Sequence, residues 1–220
     1  MTGRKIRAGI SILLHLFILA VTVRAVVSFF VAGGDGNMRV YGWPMFRYFT
    51  VDSNILLALS GIPVIVKDVR ILAGTDTGLN RWETLFAYVG TAATTLTFTV
   101  VMVFLGPVFG YRLMFLRNNL FLHLISPLLA VAALCFLDHG YVIGWKEGLL
   151  GMIPCVVYGL VYFTEVVIIG QENGGWPDLY ALNAGGRWYI SMAAMFSGML
   201  LLCVILTALA RKTGAGKDNG

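Results

Sequence analysis

A threonine hydroxyl becomes a useful nucleophile once a base takes its proton, and histidine is the usual base near neutral pH. This chain carries both groups within long apolar runs. Thr50 lies in FTVDSN, followed by Ser53 and Asn54 three and four residues on; in a helix those three share one face, while Asp52 points elsewhere. His123 lies in NNLFLHLIS, four residues after Asn119 and three before Ser126. A buried imidazole needs partners at both nitrogens. A Thr50 facing His123 would be an activated nucleophile, with Asn119 or Glu165 orienting the ring. Asn54, Ser53, Arg24 or a tyrosine hydroxyl could donate to a transient oxyanion. Tyr158, Tyr162 and Glu165 form a further stripe at four-then-three spacing.

Each group also has a structural reading. Threonines in membrane helices commonly bond their own i−4 carbonyls, and that serves for Thr94, Thr95, Thr97 and Thr99. Arg24 and Glu165 can neutralise each other as an ion pair.

The elements that must carry these residues are legible as apolar segments. The composition is 58% hydrophobic and 12% charged over 220 residues, an imbalance that lipid tolerates and water does not. Runs long enough to span a bilayer, about 20 residues, occur near Ile6–Ala32, Phe46–Val66, Trp82–Leu105, Asn118–Leu137, Gly148–Gly170 and Trp188–Ala210. The connectors are short and rich in Gly, Asp and Asn, and none can hold a soluble domain. The expectation is an all-α membrane protein: one six-helix bundle over residues 1–212, then a disordered cytoplasmic tail, 213–220. Arg4, Lys5 and Arg7 ahead of an apolar run resemble a signal peptide, but the run resumes after Arg24 and reads as an uncleaved first span.

Lys and Arg set the orientation. With the N-terminus inside, ten fall on the cytoplasmic side and five outside, so N-in and C-in is expected. That topology brings Arg24, Thr50, Thr95, Thr99, His123 and Glu165 to the outer half of the bilayer, predicting one polar pocket there. His15 alone breaks the pattern.

Other chemistries are disfavoured. The net charge of +5 is scattered between apolar runs as topology signals, not gathered into a nucleic-acid surface. Cys135, Cys155 and Cys203 lack metal or disulfide spacing. GTDTG near Gly74 has neither the Lys nor the spacing of a phosphate loop. No cofactor and no metal are expected.

The segments FRYFTVDSNILLAL, NNLFLHLISPLLAVAALCFLD and GGWPDLYALNAGGRW resemble the androgen-induced gene family of integral membrane proteins and its bacterial relatives. The likeness runs from the first apolar segment through the last. It implies an intramembrane hydrolase using a threonine and a histidine, here Thr50 and His123, in a bacterial cytoplasmic membrane. The animal members cleave fatty acid esters of hydroxy fatty acids; the expected substrate here is some lipid or acyl ester. Pro127 stands one residue closer to His123 than in the animal pattern, and the Ser53-Asn54 pair is a departure from it. Two other classes fit the same residues: a non-catalytic binder of lipid or small molecules, and a small transporter. Against the transporter, the paired broken segments of inverted repeats are missing.

Overall fold

A computed structural model describes residues 3–35, 38–138 and 140–214. Its long helices are α1 (Gly3–Val31), α2 (Phe49–Ala73), α3 (Arg81–Phe109), α4 (Asn118–Phe136), α5 (Trp145–Ile169) and α6 (Trp188–Gly214). Between α1 and α2 lie a two-residue hairpin, Gly34–Asp35 with Met38–Arg39, and a 3-10 turn, Trp43–Arg47. α6 includes Thr213 and Gly214, where a tail had been expected; the rest of that tail, 215–220, lies outside the described residues.

Helix ends depart from the apolar runs, and around α2 local contacts explain why. α2 starts three residues later than expected, because Pro44 sits in the 3-10 turn before it. It then continues past Val66 through Lys67, Asp68 and Arg70. Lys67 is neutralised there, 2.7 Å from Asp76 and 3.4 Å from Glu83. Gly74 ends the helix at φ 81°, with Thr75 N–H donating back to the Arg70 carbonyl, a left-handed cap that glycine adopts freely. α3 opens on a reciprocal cap: Asn80 accepts from Glu83 N–H and Glu83 accepts from Asn80 N–H.

The Lys67 hydrogen bond holds the Asp76 carboxyl below its ordinary value of 3.8. A carboxylate lowered in the folded state contributes stability above its unfolded value, and that contribution is lost as pH falls through the folded one. The melting-temperature difference between wild type and Asp76→Asn should therefore be constant from neutral pH down to about pH 5. It should shrink below that range. A gap unchanged at pH 3 would refute the assignment.

Consecutive helices run antiparallel. At one end of the bundle Lys5 donates to the Leu72 carbonyl, Arg81 pairs with Glu147 at 2.7 Å, and Arg211 donates to the Ile143 carbonyl. These contacts join the starts of α1, α3 and α5 to the ends of α2 and α6. At the opposite end Asn118 donates to Ser28 Oγ and Tyr158 to the Arg47 carbonyl.

Beside an apolar core, polar side chains are enclosed and many large apolar ones face outward. Ser11, Thr22, Ser53, Asn54, Thr94, Thr97, Asn119, His123 and Ser126 are buried, while Leu13, Val31, Val103 and Ile168 are exposed. Where lipid is the solvent, apolar side chains gain nothing by facing inward, and hydrogen bonds with close backbone packing hold the helices together. Tyr88 is one such tie: its hydroxyl lies within 3.1 Å of the Gly148 and Cys203 carbonyls and Thr207 Oγ1, joining α3, α5 and α6. Gly90 lets α3 close on α2, for a Cβ there would stand 2.9 Å from Leu57 Cα. Among the described residues five helices, α1 and α3 to α6, are long and apolar enough to cross a membrane. The chain is an all-α, multi-pass membrane protein.

Candidate active site

Thr50 lies in the first turn of α2. That turn is anchored from outside the helix: Phe49 N–H donates to Tyr180 Oη at 3.1 Å, and Val51 and Asp52 N–H to the Tyr48 carbonyl. His123 lies on α4 within a wider-than-α segment, Phe121–Ile125, where the hydrogen bonds span five residues. Pro127 favours it. A proline inside a helix donates no N–H and its ring crowds the carbonyl four residues back; here that carbonyl belongs to His123. α3 repeats the arrangement, with a wide turn at Val101–Leu105 ahead of Pro107. Such insertions re-aim side chains and recur at functional sites.

The two side chains meet. Thr50 Oγ1 is 3.2 Å from His123 Nε2, and His123 Nδ1 is 2.7 Å from the Met114 carbonyl oxygen. Both residues are buried, Thr50 at 5% and His123 at 2% exposure. A carbonyl can only accept, so Nδ1 carries the ring proton. In the neutral ring Nε2 is then bare and accepts from the Thr50 hydroxyl. The tautomer that a general base requires is thus imposed by the backbone at Met114.

That carbonyl reaches the ring because the chain doubles back between the turn Tyr111–Met114 and α4. The reversal passes through Arg117 at φ 54°, ψ −121°, a conformation that side-chain-bearing residues seldom adopt and that costs about 1–3 kcal/mol. Stability should therefore rank Arg117→Gly at or above wild type and Arg117→Val well below it. Melting in detergent tests the order, and a valine variant as stable as the glycine variant would contradict it.

Asn54 is a strut. Its amide donates to the carbonyls of Thr50 (2.8 Å) and Leu122 (3.0 Å), the latter next to His123. Both amide hydrogens are spent on fixing α2 against α4, so in this arrangement Asn54 offers none to an oxyanion. Ser53 Oγ lies 2.8 Å from Thr97 Oγ1 and 3.2 Å from the Thr50 carbonyl, tying α2 to α3.

No family model, curated protein or solved structure matches this chain.

The other expected residues are placed differently. Asn119 is fully buried on α4, yet the partner at His123 Nδ1 is Met114, not Asn119 or Glu165. Arg24 is exposed on α1 and Glu165 half-buried on α5, and the ion pairs among the described residues do not join them. Tyr162 is buried, but its hydroxyl serves the connector before α6, donating to Asp178 and accepting from Tyr180 N–H. Thr94, Thr95 and Thr99 bond carbonyls four residues back on their own helix, while Thr97 crosses to Ser53. His15, the outlier in the sequence, belongs to the far end of the bundle, where its ring and Ser11 bond Asp138.

A cavity of about 400 Å³ opens between α2 and α5 beside the pair; Ser53 lines it, whereas Thr50 and His123 do not. Its wall is mostly aromatic and aliphatic. Met114 had no signature in the sequence, because any residue supplies a carbonyl. Pro127 was the available clue that α4 departs from regular geometry at His123.

Proposed function

We propose that the chain is an intramembrane threonine hydrolase of lipid or acyl esters, built on six spans with both termini in the cytoplasm. The observation that carries the reading is the relay from Thr50 hydroxyl to His123 Nε2, with Nδ1–H held on the Met114 carbonyl. The family resemblance supports the same two residues, and fatty acid esters of hydroxy fatty acids are the first substrates to try. The excess of Lys and Arg at the end opposite the pair supports N-in and C-in, which sets the site in the outer half of the bilayer. An ester of the outer leaflet is then within reach.

In the proposed cycle Thr50 Oγ attacks the ester carbonyl carbon as its proton passes to His123 Nε2. The Met114 carbonyl steadies the imidazolium through Nδ1–H. Collapse of the tetrahedral adduct breaks the ester C–O bond, and the departing alkoxide takes the proton from Nε2, leaving an acyl-threonine. Water, deprotonated by the same nitrogen, then releases the acid and restores Thr50.

A fluorophosphonate probe tests this. Wild-type protein in detergent should be labelled at Thr50, and His123→Ala should abolish the label. Wild-type protein that neither labels nor hydrolyses a panel of acyl esters, and co-purifies with lipid, would transfer the case to the non-catalytic binder.

A further inference from the structure

Two residues beyond Thr50, Asp52 presents a carboxylate to the cavity between α2 and α5. The remaining wall includes Phe49, Leu56, Val157, Tyr158 and Trp176. The rings cluster: Phe49 and Tyr158 are 5.0 Å apart between centroids, Tyr158 and Trp176 6.5 Å. Among the described residues Asp52 makes no hydrogen bond through its side chain and joins no ion pair. The ion pairs there, Lys67 with Asp76 and Glu83, Arg81 with Glu147, and His15 with Asp138, all sit at the opposite end of the bundle. Asp52 is not needed as a cap either, since Tyr180 Oη and the Tyr48 carbonyl already serve the start of α2.

A single carboxylate set in apolar surface gains most from a partner cation. Aromatic faces attract the same kind of ligand, and together with a carboxylate they form the chemistry that recognises alkylammonium groups. The aliphatic wall suits a chain attached to that group. We infer that this cavity binds an amphiphile with an ammonium head group, the head against Asp52 and the aromatic cluster and the chain along Leu56 and Val157. The site is separate from the Thr50–His123 pair and does not depend on the hydrolase reading.

The test is titration calorimetry of dodecyltrimethylammonium into protein held in neutral maltoside micelles, with empty micelles as the reference and dodecanol as the uncharged comparison. Wild type should bind the cation at least tenfold more tightly than dodecanol. Asp52→Asn, which keeps the side-chain size, should remove that preference; Trp176→Leu should weaken the cation several-fold; Thr50→Ala should bind as wild type does. Equal affinity of wild type for cation and dodecanol would overturn the inference without any variant. So would undiminished cation binding by Asp52→Asn.

Discussion

Replacing His123 with alanine should lower ester turnover by 10²–10⁴-fold, the range a positioned general base contributes, while the protein still folds and inserts. The imidazole is the only partner of Thr50 Oγ1 observed among the described residues, so without it the hydroxyl keeps its ordinary, weak nucleophilicity. Thr50→Ala should be at least as damaging, since no acyl intermediate can form. Thr50→Ser restores a hydroxyl on the same bond and should recover much of the rate. Because both residues act in one proton transfer, the double variant should be little worse than either single one. Initial rates on a fluorogenic acyl ester, with melting curves to confirm folding, decide it. Serine failing to rescue while the fold is intact, or His123→Ala retaining full turnover, would reduce the pair to a structural tie between α2 and α4.

A large effect on stability is expected at Gly90, where α3 crosses α2. A methyl group there would meet Leu57 Cα at 2.9 Å and Leu57 N at 3.3 Å, both backbone atoms that cannot swing aside. Gly90→Ala must push α3 off α2, and overpacking of this kind costs about 1–3 kcal/mol. The displacement would also stretch the Ser53–Thr97 bond of 2.8 Å and disturb the helix that carries Thr50. Gly90→Leu should not yield a folded protein at all. Gly9→Ala is the control, because a Cβ at Gly9 meets nothing within 4 Å. Thermal melting in detergent should show Gly90→Ala well below wild type and Gly9→Ala level with it. Equal melting of the two variants would mean that the close approach of α2 and α3 is not what glycine provides.

The helical membrane architecture was legible because lipid imposes it locally. Backbone groups in hydrocarbon must be satisfied within their own segment, so each apolar run near the bilayer thickness declares a helix wherever its neighbours lie. Helix ends were less legible: α2 passes Lys67 and Asp68 because Asp76 and Glu83, from beyond the turn, neutralise the lysine. The candidate pair could be nominated from chemical type and spacing: His123 is an unusual occupant of an apolar run, and Thr50 shares a helix face with Ser53 and Asn54.

Their partners could not. An Arg24–Glu165 pair was as reasonable on paper as the Thr50–His123 contact, yet Arg24 faces outward and the histidine is held by a main-chain oxygen. Helical periodicity says which residues share a face of one helix, but not how one helix is rotated against another. Here that rotation follows from the wide turn ahead of Pro127, the reversal at Arg117, and the Asn54 clamp onto Leu122. The sequence by itself determined which segments become helices and which polar groups must be enclosed. Only the tertiary structure decided which of those groups touch, because interhelical distance and rotation arise from packing across segments far apart in the chain.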